Sequence, residues 1–492
     1  MVTAGPPARV VLDSSRPALS PAFDAAAFVT ARLVDANGVT TPNAASTITF
    51  SVIGAGALAA LDNGDVTNHA SYQSNQCIAA YGKCLAVVTA SAAGGAVSLK
   101  ASVPGLPEAS ISIATRAGFG FEVGAALSAA PGSIRADQPF LFTADLPEGN
   151  YNVTVTFGSG NAAVTTVKSE LRRLMPENVG SAACASVTRT FTVNLRKLAA
   201  GGVKLKAPRE VVFEASNWNL RLTLEFNGSQ PSVRTRDIVP VKVPTLFLLG
   251  DSTVSDQPGE PYASWGQMLP RFFKPGVAVA NHASSGESYR DSLSRRRIDK
   301  ILSAMQPGDT VVMQFGHNDQ KQIKDGKGGP FTTYQAEIRS HVAGIRAHGG
   351  VPVIVSPMER RAFDDNGKIR PSLVDYADAS RQVAQELGVA FIDLNAISKP
   401  FYEALGPEKS KLAFAEPKPG QTDNTHHNNY GAYQLAKAIV TGLRQAGLPV
   451  AAFAVDDVGQ FDPARPDPVE TFALQRSPGF TGQRPLGDEP NK

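Results

Sequence analysis

The sequence predicts two all-β sandwiches followed by a three-layer α/β/α domain built on a five-stranded parallel sheet. Three observations carry that expectation. Up to about residue 243, apolar and polar residues alternate with period two, as in strands with one buried face. From Pro244 the strands become short and almost wholly apolar, which a sheet covered on both faces requires. Segments of helical period separate them, and strands alternating with helices specify parallel pairing.

Residues 1–116 contain Val10-Val11-Leu12 and the runs 27–34, 47–52, 85–90 and 97–101, separated by turn signals such as Asp35-Ala36-Asn37-Gly38. An immunoglobulin-like sandwich follows from this pattern. Residues 117–243 repeat it with strands at 140–143, 151–157, 190–193 and 220–226. Trp218 there is either a sugar-stacking platform or core. Residues 244–450 carry apolar strands at 245–249, 277–281, 310–315, 351–356 and 389–392. Helices are expected at 263–273, 292–306, 333–348, 374–387 and 430–446. Residues 451–492 are rich in Pro and Asp and read as a disordered tail.

Composition narrows the function. A formal charge of +3 over 492 residues, with no basic run interleaved with aromatics, argues against nucleic acid as a partner. Arg295-Arg296-Arg297 reads as a solvated helix face. No stretch nears the roughly 20 apolar residues of a membrane span. The N-terminus shows no secretory signal, yet the Gly-, Ala- and Thr-rich first half suits a secreted or periplasmic enzyme whose signal is absent from the sequence. Cys77 and Cys84 flank Tyr81-Gly82, a spacing that suits a small hairpin disulfide or two ordinary thiols, and Cys184 stands apart.

The chemistry lies at the carboxyl ends of the apolar strands, where parallel sheets place their working residues. The first strand breaks at Gly250-Asp251-Ser252-Thr253, which exposes a serine hydroxyl at a tight turn. The second leads into Asn281-His282-Ala283-Ser284-Ser285-Gly286, and the third into Gly316-His317-Asn318-Asp319. Just before the last helix comes Asp423-Asn424-Thr425-His426. A serine needs a base to become a nucleophile, and His426 oriented by Asp423 can act as one. The oxyanion needs neutral donors: the backbone N–H of Ser252, that of Gly286, and the Asn318 amide. The spacing of His317, Asp319, Asp423 and His426 matches no zinc motif, so neither metal nor other cofactor is expected.

These blocks resemble the SGNH (GDSL-type) hydrolases, whose name records the catalytic Ser, Gly, Asn and His. Their longer forms, with Ser356-Pro357-Met358-Glu359-Arg360-Arg361, are similar to the rhamnogalacturonan acetylesterase branch. The resemblance implies a serine esterase acting through an acetyl-enzyme on Ser252, with an acetylated polysaccharide or oligosaccharide as substrate. It also implies that residues 117–243 are a jelly-roll, carbohydrate-binding-like domain. Asp251, Thr253, Glu287, His317, Arg360, Arg361 and His427 are the candidate substrate contacts. Glu287 stands where relatives often carry Arg, and His427 where an aromatic is usual, which places both near the substrate mouth. Two other readings stay open: the same hydrolase on another acyl ester, and an adhesion protein with an inert hydrolase domain. The polar loops 256–262 and 320–331 argue against a lipid acyl groove.

Overall fold

A computed structural model describes residues 3–19, 26–90, 95–115, 119–121, 128–130, 133–198, 202–323 and 328–478. The loop expected at 320–331 and the tail therefore fall partly outside the described residues. The chain divides into two compact units, residues 1–121 with 142–146, and residues 122–141 with 147–492.

The first unit is a sandwich. One sheet runs in the order Arg9–Ser14, Ala26–Val34, Lys83–Ala90, Gly56–Asp62, and the other Ala18–Leu19, Ala109–Thr115, Gly95–Ser102, Thr47–Gly54, Gln76–Ile78. The inward half of each period-two pattern, including Val29, Ala31, Leu33, Phe50, Val88 and Leu99, is buried in one core. Cys77 and Cys84 are bonded, and because their strands belong to different sheets the bond joins the two layers. Cys184 is free and exposed.

The second unit begins with more antiparallel sheet. Gly149–Phe157 pairs with Val187–Leu195 and Thr235–Pro240, and Ala163–Ser169 pairs with Arg221–Asn227. Trp218 is buried, with the Arg196 guanidinium 4.5 Å from its ring centroid and His282 against it edge-on. It is core, and offers no face to a sugar.

The same unit continues into an all-parallel sheet of five strands, ordered Ala278–Asn281, Thr245–Gly250, Thr310–Gln314, Val351–Val355, Ala390–Ile392. The continuous apolar runs are explained by two cores. Leu246 and Leu248 point into one, shared with Trp265, Phe272 and the helix Asn429–Gln445. Phe247 and Leu249 point into the other, shared with the helices Arg297–Ala304, Gln335–Ala347 and Val374–Leu387. Alternation along a strand thus feeds both faces.

Three features depart from the sequence pattern. The helix expected at 292–306 is two, Tyr289–Ser294 and Arg297–Ala304, broken where Arg296 takes φ 60°. The break lets Arg297 turn inward, where it is 1% exposed and paired with Glu210, while Arg295 is half-buried and Arg296 stays exposed, so the solvated face expected for the basic cluster does not include Arg297. A further helix, Leu394–Lys409, was hidden by Pro400, Gly406 and Pro407, and Gly406 takes φ 72° at a kink inside it. Finally, residues 451–478 form a packed strap. Val458 and Phe461 enter the core, Tyr430 Oη–H donates to the Asp467 carbonyl at 2.6 Å, and Lys168 Nζ donates to the Gln475 carbonyl at 2.7 Å. Sequence composition concealed this because the anchoring apolar residues are widely spaced. Phe461→Ala is expected to lower the stability of the second unit by about 3 kcal/mol in denaturant unfolding. A loose tail would leave the midpoint unchanged.

Candidate active site

Four chain segments meet at the carboxyl edge of the parallel sheet. The strand Thr245–Gly250 ends in a turn whose tightness is set by Gly250, since a Cβ there would lie 2.6 Å from the Gln314 carbonyl. Asp251 Oδ1 then accepts the Thr253 N–H at 2.9 Å and its hydroxyl at 2.8 Å, closing the turn around Ser252. Gln314, at the end of the neighbouring strand, donates to Thr253 Oγ1 at 2.7 Å and accepts the Trp265 indole N–H at 2.7 Å. Ser252 is 4% exposed.

The loop before the helix Asn429–Gln445 carries the partner. Ala415 N–H donates to the His426 carbonyl, Ala263 N–H to the His427 carbonyl, and Asn428 caps the helix by accepting the Gly431 N–H. So held, His426 Nε2 lies 2.9 Å from Ser252 Oγ, and His426 Nδ1 lies 3.1 Å from Asp423 Oδ2. Asp423 Oδ1 also accepts the N–H groups of Thr425 and His426, at 2.7 and 2.9 Å. Burial by itself would raise the Asp423 carboxyl, but the His426 ring and these N–H groups hold it below the usual carboxylate range. A charged carboxylate on Nδ1 keeps the Nδ1–H tautomer and leaves Nε2 free to take a proton from Ser252. The Tyr262 ring packs edge-on against His426, with centroids 5.9 Å apart.

The other two strand ends approach each other. Gly286 takes φ 75°, a conformation that favours glycine. Asn318 Nδ2–H donates to the carbonyl of Glu287, the next residue, at 2.9 Å. Asp319 supports both loops, accepting the Gly316 N–H at 2.9 Å and the Tyr289 N–H at 3.0 Å, and burial pushes its carboxyl up to about 8. Two of the three residues expected as donors, Gly286 and Asn318, thus lie on loops joined by a hydrogen bond.

Several expected substrate contacts turn inward instead. Glu287 is 0% exposed and pairs with Lys206 at 2.6 Å and with Arg297 at 3.4 Å, so its charge is spent on neighbouring cations and not on a sugar. His427 is not at the rim: it is 2% exposed, 2.9 Å from the Tyr402 hydroxyl and packed on Phe414. Burial and the adjacent His426 push its imidazole down to about 3, so it stays neutral. Asp251 and Thr253 are buried in the turn they build. His317 Nε2–H donates to the Met358 carbonyl at 3.1 Å while its Nδ1 lies 3.4 Å from Asp251 Oδ2. Arg360 hydrogen-bonds Thr425 Oγ1, and Arg361 donates its N–H to the Asn424 carbonyl at 2.7 Å. Both remain half-buried, and both brace the Asp423–His426 loop. Loop 256–262 is buried almost throughout. Gln314 and Tyr262 were missed by sequence reasoning. Gln314, a lone amide closing an apolar strand, was the detectable signal; Tyr262 left none.

Comparison with known proteins agrees with this geometry. Residues 248–434 match the GDSL-like lipase/acylhydrolase family, and residues 10–112 match the glycoside hydrolase family 2 C-terminal domain 5. The chain is 40% identical over 225 residues to the rhamnogalacturonan acetylesterase RhgT of Bacillus subtilis, covering 44% of this chain and 96% of that protein. It is 32% identical over 209 residues to the probable rhamnogalacturonan acetylesterase YesY of the same organism, covering 42% and 94%. To the uncharacterized esterase YxiM, also from Bacillus subtilis, it is 28% identical over 314 residues, covering 62% and 75%. With the match over residues 248–434 falling on the sheet whose edge carries Ser252, Gly286, Asn318 and His426, and with a 40% identical relative covered over 96% of its length, the chain belongs to the GDSL-like lipase/acylhydrolase family.

Proposed function

We propose that this protein is a carbohydrate acetylesterase that removes acetyl groups from plant cell-wall polysaccharide of the rhamnogalacturonan type, with Ser252 as nucleophile. The alignment of Ser252, His426 and Asp423 carries the reading. Ser252 Oγ attacks the acetyl carbonyl carbon as its proton passes to His426 Nε2. The oxyanion is held by the N–H groups of Ser252 and Gly286 and by the Asn318 amide. Collapse breaks the ester bond, the sugar oxygen takes the proton from His426, and an acetyl-enzyme remains. Water, losing its proton to His426, attacks that ester; acetate leaves and the serine is restored.

The burial of Ser252 and His426, with Tyr262 edge-on against the imidazole, favours a small acyl group over a fatty chain. The names of the relatives support an acetylated, uronate-containing glycan. The Cys77–Cys84 disulfide supports work in an oxidising, extracytoplasmic compartment. Among the described residues no helix is long and apolar enough to cross a membrane.

Wild type is expected to release acetate from acetylated rhamnogalacturonan, measured enzymatically, and Ser252→Ala to fold with its release lowered by about three orders of magnitude or more. Full activity in that variant would refute the nucleophile. Asp423→Asn is expected to cost about 10³- to 10⁴-fold in kcat at neutral pH, because an amide no longer fixes the Nδ1–H tautomer. A loss below about tenfold would remove Asp423 from the mechanism.

A further inference from the structure

Gln257, fully buried five residues beyond Ser252, joins the two halves of the site. Its Nε2–H donates to the Ser252 carbonyl at 2.6 Å, and the same nitrogen reaches Ser255 Oγ at 3.2 Å and Ser285 Oγ at 3.4 Å. Ser285 immediately precedes Gly286. One amide group therefore spans from the nucleophile turn to the loop of the oxyanion glycine.

Gln267 Nε2–H, on the helix Trp265–Met268, donates to the Gln257 carbonyl at 3.0 Å, and two further contacts come from the antiparallel region that precedes the parallel sheet. Arg209 Nη2–H donates to Gln257 Oε1 at 2.9 Å, and Arg172 Nη1–H donates to the Gln257 carbonyl at 3.0 Å. Lys206 Nζ–H donates to the Ser285 carbonyl at 2.6 Å. Each of these cations is also tied to a carboxylate: Arg209 to Glu214, Arg172 to Glu260 at 2.7 Å, Lys206 to Glu287 at 2.6 Å. Charge-assisted contacts of this kind are short and directional, and withdrawing one cation would strand a carboxylate away from water. The chain also accepts local strain to deliver Arg172, since Glu170 and Arg172 take φ 53° and 61°.

We infer that Gln257 is a positioning residue that sets the separation of the nucleophile turn from the Gly286 loop. Through Arg172, Lys206 and Arg209 the preceding β region is an obligate part of the catalytic scaffold and not a detachable sugar-binding module. The inference rests on the reading of Ser252 as nucleophile. Its consequence is kinetic: a displacement of about 1 Å between nucleophile and oxyanion donors costs on the order of 10²-fold in rate even when substrate binding is unchanged.

The decisive variant is Gln257→Glu in the full chain, which keeps the volume and the acceptor for Arg209 but removes the N–H donors. It is expected to keep the far-ultraviolet dichroism of wild type and a KM for p-nitrophenyl acetate within about twofold. Its kcat should fall by about tenfold or more, with a parallel fall in the rate at which diethyl p-nitrophenyl phosphate modifies the enzyme. Arg209→Met combined with Glu214→Gln, which leaves no buried charge alone, should lower kcat in the same sense, and Arg209→Lys with Glu214 intact should recover part of it. Wild-type kcat in Gln257→Glu, with Ser252→Ala inactive, would overturn the inference and leave the nucleophile in place. An active Ser252→Ala would instead refute the underlying assignment. Should Gln257→Glu fail to fold, the Arg209 and Glu214 double variant decides: folded and fully active, it overturns the inference.

Discussion

One hydrogen bond, 2.9 Å from Ser252 Oγ to His426 Nε2, joins residues 174 positions apart, and the rest of the second unit is arranged so that it can form. A parallel sheet brings every strand end to one edge, so the loops after Gly250, Asn281 and Gln314 face a common space. Gly250 permits the first loop to turn sharply against the neighbouring strand. Asp423 fixes the imidazole from behind, and the cap by Asn428 ends its loop where the last helix begins.

What the sequence made legible were the features with local causes. Continuous apolar strands marked the sheet because both its faces are buried, and Leu246 to Leu249 feed two cores in alternation. The Gly-Asp-Ser turn, Gly286 and the Asp-x-x-His pair were readable because each needs a particular residue for its own backbone or tautomer. Glu287 and His427 were misread because their surroundings come from distant parts of the chain. Glu287 meets Lys206 and Arg297, and His427 meets Tyr402 and Phe414, none of which a local pattern announces. The strap at 451–478 escaped notice for the same reason, since its anchors are Thr441, Tyr430 and Lys437 on the preceding helix.

The seam between antiparallel region and parallel sheet is ionic to an unusual degree. Arg172 pairs with Glu260, Arg173 with Asp256 at 2.7 Å, Lys206 with Glu287 and Arg297 with Glu210, all largely buried. Such pairs add little net stability compared with well-packed apolar groups, but breaking one by removing a partner costs about 3–5 kcal/mol. They therefore select a single arrangement of the two elements. This explains the acidic residue after Gly286: the position that suggested a sugar contact is occupied by the carboxylate that anchors the neighbouring β region. Asp256 has the same character, accepting from both Arg173 and Asn281.

The side chain that carries the covalent intermediate of the proposed reaction identifies the nucleophile. Diethyl p-nitrophenyl phosphate should transfer its diethylphosphoryl group to an activated serine and expel nitrophenolate, and peptide mass mapping locates the adduct. A single adduct on Ser252, rising in step with the loss of acetate release, is the expected result. Complete inactivation with the adduct on another residue, or with none on Ser252, would show that Ser252 is not the nucleophile.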